Sequence, residues 1–359
     1  MDSASLKEAI LMVEKFSDKE LAPKALEWDQ YPSQDFPKAL LDKAREIGLF
    51  SFLLSENQGG IGGTPEQLAL LLEVIAQREA GFAGLIFSHN LAGYFLSLAQ
   101  KQFPADKLLA FPCYLEPEHL EESALKSEKA GNGRIHVSGK LRNVIGAGIA
   151  DRIFAPVSEP EDISWFCLEP VRVGIRRDKL PLTLGLRTAS HCDLIFERVE
   201  LSESDRVGQA GAGKDWCRSA YLKFYPAASA ILIGLIAGSA RAAIKYGQDR
   251  YQGGDMIAQH GQIRYYYGSM LAGYFSLKAA LEKIAEGSGD DSSRLALKIM
   301  AGDLAVRATM DGVQLLGGYG YMHDYGQEKR MRDAGSAEKF LGSAKNLTLS
   351  LADGFIKSI

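Results

Sequence analysis

Paired cysteines, runs of positive charge and long uninterrupted apolar stretches are all scarce in this chain of 359 residues. The four cysteines, Cys113, Cys167, Cys192 and Cys217, stand too far apart to form a Cys-x-x-Cys box or a Cys/His metal site. They read as buried reduced thiols, and no metal is expected. The length excludes a small disulfide scaffold. Lysine and arginine number 41 against 45 aspartates and glutamates, and no basic tract suited to following phosphates stands out, so nucleic acid is not an expected partner. One apolar stretch, Ala227 to Ala243, falls short of the ~20 residues a membrane span needs and carries Arg241 near its end. It reads as a buried bundle helix, and no membrane partner is expected. The opening segment, Met1 to Phe16, lacks a basic flank followed by a continuous apolar run and reads as an amphipathic helix. A cytoplasmic location is the resulting expectation.

With hydrophobic residues at 46% and charged residues at 24%, the composition is that of a folded, water-soluble protein of two or three domains. From residue 1 to about 110 apolar residues recur at helical spacing, as in Leu68, Leu71, Leu72 and Ile75. Breaks are expected at Tyr31 to Ser33 and at SENQGGIGGTPEQ, where Thr64 and Gln67 have the spacing of a capping box. From about 111 to 210 the segments are short, β-branched and alternating, as in CDLIFERVEL, and imply an antiparallel β domain. Helical periodicity returns over 211–359, with a polar Gly/Ser connection, EGSGDDSS, between two long helices. The fold class is therefore α+β, in the order helical domain, β domain, helical bundle.

Glycine is the residue in excess, at 37 positions against a usual roughly 7%, and much of it is clustered. No cluster is a Walker A box. The segment GQAGAGK at Gly208 to Lys214 has neither the spacing nor the preceding βαβ unit of a phosphate loop, and reads as a strand-to-helix hinge. Gly317, Gly318 and Gly320 lie among Tyr319, Tyr321, Tyr325, Lys329, Arg330 and Arg332. Close backbone approach, aromatic surface and positive charge together suit an anionic, aromatic ligand such as a nucleotide cofactor. A glycine-terminated helix end with solvated charges is the competing reading.

This order of segments, with SENQGGIGG, His89 in GLIFSHN, YLEP at Tyr114 to Pro117, Gly234, Arg250, Gln314, Gly317, Gly318 and RMRDA, resembles the acyl-CoA dehydrogenase family along nearly the whole chain. The resemblance implies a C-terminal four-helix bundle and an FAD between the β domain and the C-terminal helices, its diphosphate reaching a neighbouring subunit of a dimer or homotetramer. It assigns cofactor contacts to Arg250, Gln314, Gly317, Gly318, Gly342 and Ser343. It further implies fatty acid metabolism: oxidation of the CH–CH bond of an acyl-CoA, with a carboxylate as base and an electron-transfer flavoprotein as electron acceptor.

The chain departs from that pattern where the proton is removed. In RDAGSAEKFLGSAKN the family's Tyr-Glu-Gly-Thr turn corresponds to Phe340, Leu341, Gly342 and Ser343. Leu341 stands where the glutamate should be, and leucine accepts no proton. The second family position for the base corresponds to Phe224, followed by Tyr225. Flavin-facing positions have changed too: Leu115 replaces a hydroxyl, Asn143 to Ile145 replace a Trp-Ile-Thr element, and Gly253 replaces a phenylalanine. Glu338, Asp215 and Asp333 are other carboxylates to consider, each more commonly a surface or helix-terminal charge, and Arg187 reads as structural. The catalytic residues are therefore not assigned. Two readings follow: a flavoenzyme with an altered or missing base, or a catalytically inactive partner subunit of a heteromeric assembly. A CoA-thioester-binding protein without redox chemistry is a third.

Overall fold

A helix that is apolar around its whole circumference must be buried on every side, and Ala80–Leu98 is such a helix. It organises the first part of the molecule in the computed structural model, which describes residues 1–32, 38–101, 106–178 and 182–356. Before it come α1 (Ser3–Phe16), α2 (Ala25–Gln30), α3 (Lys38–Glu46) and α4 (Pro65–Ala76), so the central helix is α5. The expected break at Tyr31 to Ser33 runs into residues outside those described. The capping box does form: Thr64 Oγ1 accepts from Gln67 N–H at 3.2 Å and Gln67 Oε1 accepts from Thr64 N–H at 3.2 Å, with Pro65 pre-set for the first helical turn.

Strands β1 (Leu109–Ala110), β2 (Leu125–Gly131), β3 (Arg134–Val144), β4 (Arg152–Glu159), β5 (Asp162–Leu168), β6 (Ile175–Arg177), β7 (Cys192–Leu201) and β8 (Arg206–Val207) form one sheet, with the short helix α6 (Leu120–Ser123) before β2. Its order is β6-β7-β3-β2-β4-β5-β8, with β1 attached to β4. The sheet is antiparallel except at two places. β2 pairs with β4, and β1 with β4, in parallel, because β4 enters the sheet beside β2 rather than returning beside β3. Alternating residues such as Leu194 and Phe196 of β7 point into a core of the sheet's own.

After a hinge in which Gly208 and Gly211 take positive φ, the long helix α7 (Gly213–Asp249) runs through the C-terminal part, joined by α8 (Gly261–Lys283), α9 (Asp291–Leu315), α10 (Gln327–Ala337) and α11 (Ala344–Ile356). A two-stranded hairpin, β9 (Tyr251–Gln252) with β10 (Asp255–Met256), follows α7. Its two-residue turn is Gly253-Gly254, with φ of 69° and 92°, a left-handed pair that favours glycine. Gly253 is thus required by the hairpin itself. The apolar stretch Ala227 to Ala243 lies within α7, where Ala227 to Ile233 are fully buried. The N-terminal and C-terminal helices share one core, since Gly234 lets α4 approach α7 closely: a Cβ there would lie 2.4 Å from the Glu73 carbonyl oxygen. The connection from α8 to α9 turns at Gly287, φ 91°, and Asp290 caps α9 by accepting from Ser293 N–H.

Candidate active site

Phe224 and Phe340, the residue before Leu341, are far apart in sequence but converge on one aromatic cluster. Phe87 of α5 stacks on Phe340 with ring centroids 5.4 Å apart and 13° between planes, and meets Phe224 of α7 edge-on at 5.9 Å. Tyr94 covers Phe224 at 5.4 Å, and Tyr114 meets Phe340 at 5.2 Å. Phe87, Phe224, Phe340 and Leu341 are all fully buried. Leu341 is held in the left-handed region, φ 59°, by its N–H donating to the Cys113 carbonyl at 2.8 Å. Aromatic packing surrounds Phe224 and Phe340, and Leu341 is buried in the same core.

The carboxylates considered as alternative bases are engaged elsewhere. Glu338 accepts from Ala344 N–H at 2.9 Å and pairs with Lys339 at 2.6 Å. Burial pushes its pKa up, but these hydrogen bonds outweigh burial and hold it below the usual carboxylate value. Asp215 is exposed and pairs with Arg218. Asp333 is buried, accepting from Leu186 N–H at 2.6 Å and from Lys329 at 2.7 Å. The groups near Leu341 and Phe224 that carry protons are instead thiols, phenols and the buried Lys298, which donates to the Glu338 carbonyl at 2.8 Å and is pushed down to about 8 by burial. Burial pushes Cys113 up to about 12 and raises Tyr114, Tyr221 and Tyr225 well above the ordinary phenol.

On the β-domain side of this cluster lie unpaired polar atoms. Tyr114 faces the His191 ring at 6.4 Å, and His191 Nε2–H donates to the Leu186 carbonyl at 2.9 Å, leaving Nδ1 as an acceptor. Among the described residues, His191 Nδ1, Asn143 Oδ1 and Ser190 Oγ are buried without a hydrogen-bond partner. Native interiors seldom leave such atoms unpaired. Their place in the seam between the β domain and the C-terminal helices fits a planar ligand that carries hydrogen-bond donors.

The other assigned residues divide into two groups. Arg250 follows α7, Gln314 lies in the last turn of α9, and both are exposed, as are Gly317 and Gly318 in the next turn. They belong to one face, because Tyr246, one turn before Arg250, lies 6.1 Å from Tyr319 and 6.2 Å from Tyr325. A Cβ at Gly317 or Gly318 would meet nothing within 4 Å. No packing within the chain calls for glycine at Gly318, and the open surface beside Arg250 fits a diphosphate brought close to the backbone. Gly320 differs, since its Cβ would lie 2.0 Å from the Val313 carbonyl oxygen, so that glycine serves the turn. The second group, Gly342 and Ser343, lies at the start of α11, where Ser343 N–H donates to Glu116 Oε1 at 3.0 Å and Ser343 Oγ accepts from Asn346 N–H at 3.4 Å.

Beneath the seam runs a buried ion network that joins all three parts. Lys329 bonds Asp333 at 2.7 Å and Glu79 at 3.0 Å, and Glu79 also accepts from Thr188 at 2.6 Å and from Gly81 N–H at 2.9 Å. Arg332 makes a bidentate pair with Asp29 at 2.6 and 3.2 Å, and Arg187 lies 3.6 Å from the same carboxylate. Asp29, His323 and Glu328 bring ligand atoms within 4.8 Å of one another, but Arg332 neutralises both carboxylates, which makes this an ion-pair seam. The network escaped the sequence reading because its partners come from segments up to 303 positions apart.

His89 is a structural core residue. Its Nε2 bonds the Phe50 carbonyl at 2.8 Å and its Nδ1 accepts from Leu109 N–H at 3.1 Å, tying α5 to β1. Burial pushes both His89 and His191 down to about 4. Both are neutral in the fold and protonate near 6.5 when unfolded. The stability they contribute is therefore present above pH 6.5 and lost as pH falls towards 4. By pH 5 each should cost roughly 2 kcal/mol, so urea midpoints should drop measurably between pH 7 and pH 5. A flat profile over that window would show that neither ring is held neutral.

Comparison with known proteins agrees with this architecture. Residues 3–103 match the acyl-CoA dehydrogenase N-terminal domain and residues 226–355 the C-terminal domain of the same family. Together they account for well over half of the chain. It belongs to the acyl-CoA dehydrogenase family. Cyclohex-1-ene-1-carbonyl-CoA dehydrogenase of Geobacter metallireducens is 27% identical over 355 residues, covering 92% of this chain and 93% of that protein. An acyl-CoA dehydrogenase of Bacillus subtilis is 26% identical, again over 92% of this chain and 93% of its own length. The solved butyryl-CoA dehydrogenase of Megasphaera elsdenii superposes with a TM-score of 0.88 at 22% identity, covering 99% of this chain and 100% of that one, and shows the shared fold.

Proposed function

We propose that this chain is an FAD-dependent oxidoreductase acting on the CH–CH bond of an acyl-CoA thioester, with no carboxylate base at either of the family's two positions. The observation that carries the cofactor assignment is the set of unpaired acceptors in the seam, Asn143 Oδ1 and His191 Nδ1 beside Tyr114. FAD supplies a hydride acceptor when bound. Asn143 and His191 would receive hydrogen bonds from the ring system, and Arg250, Gln314 and the Gly317-Gly318 backbone would hold a diphosphate across a subunit boundary. An electron-transfer flavoprotein is the proposed electron partner.

Chemistry at the reacting carbon follows from what surrounds Leu341. Neutral thiols and phenols do not abstract an α-proton near pH 7, because their raised pKa values leave almost no anion. They do hold protons, so the protein's own groups suit proton donation or a step that needs no base. The packed rings of Phe87, Phe224 and Phe340 support a second reading, in which the chain is a non-catalytic partner of a complete homologue.

Gly318→Val separates cofactor binding from folding. The added side chain meets no atom within 4 Å at its Cβ, so stability should change by no more than about 1 kcal/mol. FAD affinity, followed by fluorescence quenching, should fall at least ~10-fold. Unchanged FAD affinity would remove this turn from the cofactor site.

A further inference from the structure

A separate cavity of about 340 Å³ lies where the segment between α1 and α2, α2 itself, the turn after α4, α7 and α10 meet, and none of Arg250, Gln314, Gly317 or Gly318 lines it. Its charge is lopsided. Five cationic side chains line it, Arg78, Arg241, Lys245, Lys329 and Arg330, against one carboxylate, Asp18, in a protein whose formal net charge is −4.

Two of the five cations are already balanced. Arg78 pairs with Asp18 at 2.7 Å, and Lys329 with Glu79 and Asp333. The other three have no carboxylate partner among the described residues. Arg241 donates to Gln77 Oε1 at 3.1 Å, and Arg78 donates to that same neutral oxygen at 3.0 Å, so two guanidinium groups share one amide carbonyl. Arg330 donates only to the Gly326 carbonyl and Gln327 Oε1, at 3.0 and 3.2 Å, and burial pushes its pKa below the ordinary arginine value. Arg241 and Lys245 stand at the exposed mouth of the cavity and Arg330 is half-buried within it, so an entering anion would meet three cations that have no carboxylate partner among the described residues.

Helix spacing puts two of these cations on one side of the cavity. Gly238, Arg241 and Lys245 stand three and seven residues apart on one face of α7, and the Arg330 Nε lies 3.3 Å from where a Cβ of Gly238 would be. The missing side chain lets Arg330 lie against α7 beside Arg241. Across the cavity Ala22, Ala25 and Leu26 offer a small apolar wall, and Tyr325 an aromatic edge.

We propose that this cavity binds a small organic phosphate, its phosphate set among Arg241, Lys245 and Arg330 and its apolar body against Ala22, Ala25 and Leu26. The volume suits a ligand of that size, and forked guanidinium donors suit phosphate oxygens.

Calorimetry with phenyl phosphate, in excess FAD and at fixed ionic strength, tests this without involving the cofactor site. Saturable binding is expected, tighter for phenyl phosphate than for inorganic phosphate, and at least ~10-fold weaker in the double variant Arg241→Gln/Lys245→Gln. The melting temperature of the variant, and the single variant Lys245→Gln, guard against a folding defect. Absence of saturable heat with either phosphate, or unchanged affinity in the variants, would overturn the site. Equal affinity for the two phosphates would overturn the assignment of an organic ligand.

Discussion

Lys329→Met is expected to destabilise the protein by about 3–5 kcal/mol, because removing one partner of a buried ion network leaves the others uncompensated. Glu79 and Asp333 are buried to 0% and 1% exposure, and Lys329 is the cation that bonds both. Burial alone would pull the Lys329 ammonium down, but Asp333 and Glu79 outweigh it and hold the pKa above the ordinary lysine value. Burial raises Glu79 even with Lys329 present. Without the lysine, the Glu79 carboxyl should rise further and take up a proton more readily in the folded state. The deficit should therefore be largest near pH 7 and shrink as pH falls. Urea midpoints of both proteins at pH 7 and pH 5 read this out. A small, pH-independent difference would mean that the carboxylates find other partners.

Leu341→Glu should cost about 3 kcal/mol or more at pH 7, although it installs the residue type that the family resemblance implies there. The position is fully buried against Phe340, in the left-handed region, with its N–H engaged by Cys113. The buried Lys298 is held by the Glu338 carbonyl at 2.8 Å, so burial dominates at position 341 and would raise the pKa of a glutamate there. A raised carboxyl contributes stability only below its unfolded value near 4.3 and loses it as pH rises through the folded value. Relative to the natural protein, the variant should look best near pH 4 and worst near pH 8. If it were as stable as the natural protein at pH 7, the space around residue 341 would have to be open and polar, contrary to the ring packing of Phe87, Phe224 and Phe340.

Local rules and family resemblance carried the fold reading, and each worked where the determining atoms were near in sequence. The capping box at Thr64 and the glycine turns at Gly208 and Gly211 could be anticipated because their hydrogen bonds and dihedrals involve a few consecutive residues. The parallel pairing of β2 with β4 could not, since strand order depends on contacts between non-adjacent segments. For the site, the resemblance pointed to Leu341 and Phe224, and the structure shows that Phe224 and Phe340, the residue before Leu341, pack on the same ring of Phe87. It could not show that Phe87 fills the space between them, nor that His191 Nδ1 and Asn143 Oδ1 are left unpaired. Those facts depend on how α5 and the β domain pack.

The glycines show the same division. Gly318 has no packing partner for a Cβ within 4 Å, whereas Gly320 and Gly234 serve close backbone contact within the chain. Their sequence contexts do not separate them, because the distinguishing atom belongs to Val313 in one case and to Glu73 in the other.

The central claim, FAD-dependent redox chemistry on a CoA thioester, is tested most directly by anaerobic absorbance of the FAD-loaded protein. The flavin band near ~450 nm should bleach with an acyl-CoA, or return when the dithionite-reduced protein meets the matching enoyl-CoA, for at least one chain length in a short, medium and branched series. A protein that takes up no flavin, or whose flavin band ignores every acyl-CoA and enoyl-CoA in both directions, would contradict the account.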